Sequence, residues 1–354
     1  MIKRFGVRLI VGVFIGAIFF PTLVSGAEPQ VIWKMQTFFS PSPTWYKSGE
    51  IWAEEVSKMS GGRMKVEIVG PVVGEMPHFD IAGLVQKGVR EVGHISPVFL
   101  AGKYPAAGLF AGTPAFFDLF GYVAWMNAYG GKELLQEMVG DSFKIFPVGM
   151  SWGKNIAWSN KKIESFTDFS GLKYGNAGGA WAKVLSDAGA KNENVDWMAL
   201  QALQEGTLDA AERLTPFDGM ANNLHKFSKY CYFPGLQTIA MQTVLIVNQE
   251  KWNSLPEDLK EIVKGACHTA MLKALTQWAM LDVKAIQLLK EGGNVQILKL
   301  SREIQQEILD KLIPVNDSNP DSMFQKVWKS QKEFMKAYAP YMELQKIDAV
   351  AKIK

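Results

Sequence analysis

Between Pro256 and Lys290 the apolar residues Leu259, Ile262, Val263, Ala266, Ala270, Leu275, Trp278 and Leu281 recur at helical spacing. No proline interrupts the run, and Gly292-Gly293 ends it. At 1.5 Å per residue such a helix is roughly 50 Å long, longer than one small domain. It must therefore cross more than one packed unit. Just upstream, Ser254, Pro256 and Glu257 form a helix-start pattern, with Ser254 expected to cap.

The rest of the chain reads as α/β. Val31 to Phe38 is a strand candidate, followed by the Pro/Ser loop SPSPTW. Tyr46 to Met59 is amphipathic at helical spacing, Gly61-Gly62 stops it, and Met64 to Val69 alternates as a strand. This β-α-β opening predicts an α/β fold. Residues 84–94, LVQKGVREVGH, and 203–212, LQEGTLDAAE, echo each other. Each is a helix end, a glycine, then a short strand delivering polar residues: His94 and Ser96 first, Glu212 and Arg213 second. Two such modules predict two α/β lobes whose strand ends face one cleft. Further on, 161–179 reads as strand, loop, strand, loop, and 180–189 as a helix. Leu236 to Val247 reads as an apolar strand.

Length and composition bound the class. The chain has 354 residues, 48% of them hydrophobic and 21% charged, enough for two cored units. Residues 1–27 form a secretory pattern: basic Lys3, Arg4 and Arg8, an apolar run from Leu9 to Phe20, and the small triplet Ser25-Gly26-Ala27. Removing them takes three of the 38 Lys+Arg and none of the 35 Asp+Glu, so the formal charge falls from +3 to 0. With no basic excess, the mature chain is a poor nucleic-acid binder. A periplasmic location is expected. Cys231 and Cys267 have no CxxC or metal-type spacing and read as buried thiols, although the compartment permits a disulfide.

The usual metal, phosphate and redox motifs are absent: the four histidines form no HExxH, and there is no Walker or CxxC motif. Eleven Trp and twenty-one Phe suit a small-molecule pocket as well as cores. In GLKYGNAGGAW, residues 171–181, the glycines do not match a dinucleotide fingerprint. Two readings stand: a helix N-terminus offering N–H groups to a small anion, or a tight strand-to-helix turn.

Several stretches in order, LVQKGVREVGH with FLAGKYPA, LQEGTLDAAERLTPFDG, YCYFPGLQT and LIVNQEKWNSLPEDL, resemble one family. It is the extracytoplasmic solute-binding subunit of tripartite ATP-independent periplasmic (TRAP) transporters, most similar to the α-keto acid branch. The resemblance covers nearly all of residues 30–290. It implies a two-lobe periplasmic binding protein fold with a hinge and a long bridging helix. It also implies capture of a small organic anion by lobe closure, delivery to membrane subunits, and no catalysis. The expected division is 28–150 with 247–300 as lobe I, 151–246 as lobe II, 256–291 as the bridging helix and 301–354 as C-terminal helices.

The family's site residues carry over in part. The arginine usual after the GLK strand looks like Gly175 here, and the branch's glutamine looks like Lys154 in SWGKNIAW. Its tryptophan after the glutamate looks like Arg213, and a glutamate after the PG turn looks like Thr238. In that branch the glutamine and glutamates help to hold a metal ion. Two arriving cations imply relocation: Arg213 supplies the missing guanidinium and Lys154 takes the metal's place, with Glu212 as their buried partner. The other reading leaves both cations in solvent. No cofactor or metal is expected. Further wall candidates are Phe39, Phe99, Trp152, Tyr174, Asn176 and Phe217. The family's paired tyrosines look like Val98 and Phe99, a more apolar wall. The same pattern also admits an extracytoplasmic sensor, or a periplasmic enzyme using Glu212 with Lys154.

Overall fold

A computed structural model describes residues 29–70, 80–112, 117–176, 178–194, 199–213 and 215–345. The expected signal segment, 1–27, lies outside them. Eleven strands are present among the described residues. They are β1 (Val31–Thr37), β2 (Met64–Val69), β3 (Val92–Ile95), β4 (Lys144–Trp152), β5 (Ala157–Ser159), β6 (Lys173–Asn176), β7 (Lys191–Asn194), β8 (Ala210–Ala211), β9 (Tyr230–Tyr232), β10 (Ala240–Val247) and β11 (Gln296–Leu298). They form two sheets, ordered β2-β1-β3-β10-β4 and β11-β9-β5-β8-β6-β7. The expected α/β architecture of two lobes, one per sheet, follows from this pairing.

The repeated module accounts for the centre of each sheet. Helix Ile81–Gln86 ends at Gly88 and feeds β3; helix Ala199–Gln204 ends at Gly206 and feeds β8. Both glycines have positive φ, +71° and +70°, the left-handed backbone that stops a helix before a strand. In lobe I, β1 runs parallel to β2 and β3, and β10 runs antiparallel between β3 and β4. Helix Trp45–Met59 covers one face through Ile51, Trp52 and Val56. On the other face Phe110, Phe117, Tyr122 and Trp125 pack with Trp328 and Phe334 from the C-terminal helix Ser322–Gln345.

The bridging helix runs Glu257–Gly292, 36 residues, and Gly293 closes it at φ +67°. Leu259, Val263, Ala266 and Ala270 pack in the lobe I core, while Leu289 packs in the lobe II core. Asn248, not Ser254, is the capping side chain upstream. Its Oδ1 accepts from Glu250 and Lys251 N–H at the start of the short helix Gln249–Asn253, and Pro256 sits at the start of the long one.

Several sequence boundaries shift. The strand Leu236–Val247, assigned to lobe II, begins at Ala240 and pairs in the lobe I sheet, whereas β11, assigned to lobe I, joins β9 in lobe II. An apolar strand buried on both faces carries no mark of which sheet takes it. The strand expected near Lys161 lies earlier, at β5. The expected C-terminal helices divide between the lobes: Arg302–Asp317 buries Ile304, Ile308 and Leu312 against lobe II, and Ser322–Gln345 packs on lobe I. Both cysteines are free and buried, Cys267 in lobe I and Cys231 in lobe II. No described helix is long and apolar enough to cross a membrane.

Candidate ligand-binding site

Two short segments carry the chain between the sheets: 153–156 from β4 to β5, and 233–239 from β9 to β10. They are bonded to each other. Lys154 N–H donates to Thr238 O at 3.1 Å, Gly235 N–H to Lys154 O at 2.6 Å, and Gln237 Nε2 to Asn155 O at 3.0 Å. Gly153 is obligatory for this approach, because a Cβ there would lie 2.2 Å from Thr238 O. The paired crossings form the hinge, and they carry Lys154 and Thr238. Both are expected site residues.

Lys154, Glu212 and Arg213 converge at the lobe II side of this hinge. Lys154 Nζ lies 3.5 Å from Glu212 Oε1, and Glu212 is 5% exposed. The other carboxylate oxygen accepts from Gln237 Nε2 at 3.1 Å. Glu212 is held in register by its own N–H donating to Gly175 O at 2.9 Å. Arg213 N–H donates to Asn155 Oδ1 at 3.0 Å. Its half-buried guanidinium makes no ion pair or hydrogen bond among the described residues. Burial lowers its pKa, opposed by the charges of Asp218 and Glu212. A guanidinium stays protonated regardless, so a fork of donors is available to an anion. Asn155 and Gln237, missed by the sequence reading, join these residues. Asn155 Nδ2 and Gln237 Oε1 are buried and have no hydrogen-bond partner among the described residues.

The remaining candidates separate. Tyr174 is not a pocket wall: it is fully buried in the lobe II core against Phe169 and Trp181, and its hydroxyl donates to Ile156 O. Strand alternation does not say which face of β6 is the core. Asn176 is consumed locally: its Nδ2 donates to Asn192 and its Oδ1 accepts from Gly178 N–H. Gly178 and Gly179 have φ +89° and +70°, so the strand-to-helix turn itself requires them. Gly175 is buried beside Ala211. Thr238 is 7% exposed and packs where a Cβ on Gly112 would collide with it. Phe39 stacks on Trp45 at 5.5 Å and meets His94 edge-on. Phe99 and Trp152 are 49% and 46% exposed; Trp152 ends β4, and Phe99 lies in the short turn Pro97–Leu100 that follows β3.

A further cluster seals the seam beside Arg213. Thr44 of lobe I donates to Asp218 of lobe II at 3.2 Å, and Thr215 donates to the other oxygen of Asp218. Phe217 N–H donates to Asp282 on the bridging helix at 2.9 Å, and Trp278 Nε1 to Thr215 at 3.0 Å. Trp45 meets Trp278 edge-on at 4.8 Å. Burial, with Asp282 nearby, pushes Asp218 up to about 7. Phe217 is thereby a seam residue.

Two sheets joined by hydrogen-bonded crossings, with the Lys154–Glu212 pair beside them, suit a two-lobe binding protein. A profile for bacterial extracellular solute-binding proteins of family 7 (DctP) matches residues 35–321. The chain belongs to this family. A monocarboxylate 2-oxoacid-binding periplasmic protein of Nostoc is 30% identical over 318 residues, spanning 88% of this chain and 86% of that one. Two solved TRAP solute-binding proteins share the fold at 24% identity. The one from Colwellia psychrerythraea, with calcium and pyruvate, has TM-score 0.82 and covers 90% of this chain and 98% of that one. The one from Pseudoalteromonas atlantica, with sodium and pyruvate, has TM-score 0.80 and covers 90% and 97%. This DctP-family protein is therefore a periplasmic receptor working with TRAP membrane subunits, and not an enzyme.

Proposed function

We propose that this receptor captures a small 2-oxo monocarboxylate between its lobes, with Arg213 as the principal anchor of the carboxylate. The observation that carries this reading is the half-buried guanidinium of Arg213, which makes no hydrogen bond or ion pair among the described residues and lies beside the Lys154–Glu212 pair. A planar guanidinium fork binds a carboxylate through two parallel N–H···O bonds. The name of the Nostoc relative supports the 2-oxoacid class. Phe99 and Trp152, both exposed, offer apolar surface to the ligand's carbon chain on closure. Asn155 Nδ2, without a hydrogen-bond partner among the described residues, is a donor suited to a carboxylate or keto oxygen.

Isothermal titration calorimetry tests this on the mature protein, using pyruvate, longer 2-oxo acids, lactate, succinate and a neutral polyol. We expect 2-oxo monocarboxylates to bind tightest. Arg213→Ala should weaken them by about 1.5–3 kcal/mol, the usual worth of a hydrogen bond to a charged group. A polyol binding while every acid fails, or an Arg213→Ala variant with wild-type affinity, contradicts the reading.

A further inference from the structure

We propose that Lys154 supplies from the hinge the positive charge that a metal ion supplies in the calcium- and sodium-bearing proteins of this fold, so that this receptor binds its carboxylate without a metal. The inference rests on the anchoring role given to Arg213 above, but its central readout does not depend on that role.

The donor set argues against a metal. Calcium takes six to eight oxygen ligands at about 2.3–2.6 Å. The buried carboxylate at this hinge is Glu212, and both of its oxygens are engaged. One faces the Lys154 ammonium at 3.5 Å and the other accepts from Gln237 Nε2 at 3.1 Å. A cation seated on Glu212 would share its position with an ammonium and be repelled by it. Thr238, at the other matched position, offers a neutral hydroxyl, and its carbonyl accepts from Lys154 N–H. Asn155 Oδ1 is taken by Arg213 N–H. Gln237 Oε1 has no hydrogen-bond partner among the described residues, but a Cβ on Gly235 would come within 2.8 Å of it, so it is packed into the hinge turn. Among the described residues no group of three or more His, Cys, Asp or Glu could hold a metal.

The local charges favour the ammonium. Lys154 pairs with Glu212, and Arg213 has the Asp218 carboxylate near it. A dication added beside the Lys154 ammonium and the Arg213 guanidinium would bring a third cationic group into one buried site, a costly burial. Lys154 is also fixed at its own backbone: its N–H and C=O are both bonded across the hinge. Its charge is therefore delivered by the same segment that moves the lobes.

The experiment uses the mature protein stripped with a chelator and titrated with pyruvate, with and without millimolar calcium. Native mass spectrometry counts bound calcium independently. For wild type we expect pyruvate affinity equal within about twofold in the two conditions, and no stoichiometric calcium. Lys154→Gln should bind pyruvate roughly tenfold or more weakly in chelator, take up one calcium, and recover affinity with it. Lys154→Met, which lacks charge and oxygen, should weaken without calcium recovery. Wild type that carries one calcium, or that needs it for pyruvate, overturns the proposal. If pyruvate and its longer homologues fail in both conditions, the carboxylate reading falls, and a calcium-loaded wild type still overturns this one separately.

Discussion

His94 shows how one buried polar residue shapes the acid stability of the receptor. Its ring lies between Thr37 Oγ1 at 3.2 Å and Ser48 Oγ at 3.1 Å, and Ser48 reaches Thr243 at 3.1 Å. A neutral imidazole has one donor and one acceptor, and hydroxyls serve either, so the network closes without charge. Burial pushes the His94 pKa down to about 3, from about 6.5 when unfolded. The unfolded chain takes up the proton first. This contribution is therefore complete above about pH 6.5 and is lost as pH falls toward 3. Asp218 acts oppositely: its raised pKa of about 7 favours the folded state at low pH and loses that contribution as pH rises through 7. Comparison with His94→Gln isolates the histidine. Denaturant titrations at pH 7.5 and 4.5 should show wild type losing about 2–3 kcal/mol more than the variant between the two.

At the scale of elements, the hinge is two irregular crossings locked together by backbone hydrogen bonds. Gly153→Ala tests this. The new methyl would meet Thr238 O at 2.2 Å and Ile239 Cα at 2.8 Å, both backbone atoms that cannot rotate away. The crossings must part, stretching Lys154 N–H to Thr238 O. We expect about 1–3 kcal/mol of destabilisation, the scale of overpacking, read from the denaturant midpoint. Ligand affinity should fall with it, because Lys154 shifts with its backbone. The hinge was half legible in sequence. Lys154 and Thr238 are expected at the site from matched family stretches, Lys154 as the local positive charge, but neither as part of a hinge. Nothing local to SWGKN or PGLQT says that these segments bond to each other. Asn155 and Gln237 carry no local signal for the same reason. Tyr174 leaves the expected wall because an alternating strand has two faces, and only packing against Phe169 and Trp181 decides which is core.

At the scale of the whole molecule, the bridging helix makes two lobes behave as one. Trp278 sits at its centre, 3% exposed, donating to Thr215 of lobe II and packing edge-on against Trp45 of lobe I. Trp278→Ala should cost about 3–5 kcal/mol, as large-to-small changes do in cores. It should also weaken coupling between lobes whose other links are short. Differential scanning calorimetry is expected to resolve two transitions in the variant where wild type shows one. A single, equally cooperative transition would mean that the coupling lies elsewhere.

Sequence by itself determined the period of the bridging helix, the β-α-β opening and the twin helix–glycine–strand modules, because each depends on contacts a few residues apart. It also placed the cations Lys154 and Arg213 within stretches that resemble the family. Tertiary structure alone decided that β10 serves lobe I and β11 lobe II, that Tyr174 is core, and that Thr44, Asp218, Trp278 and Asp282 meet at one seam. Those pairings join residues tens to hundreds of positions apart. What selects them is packing and the requirement that buried polar groups find partners, and neither is written in local spacing.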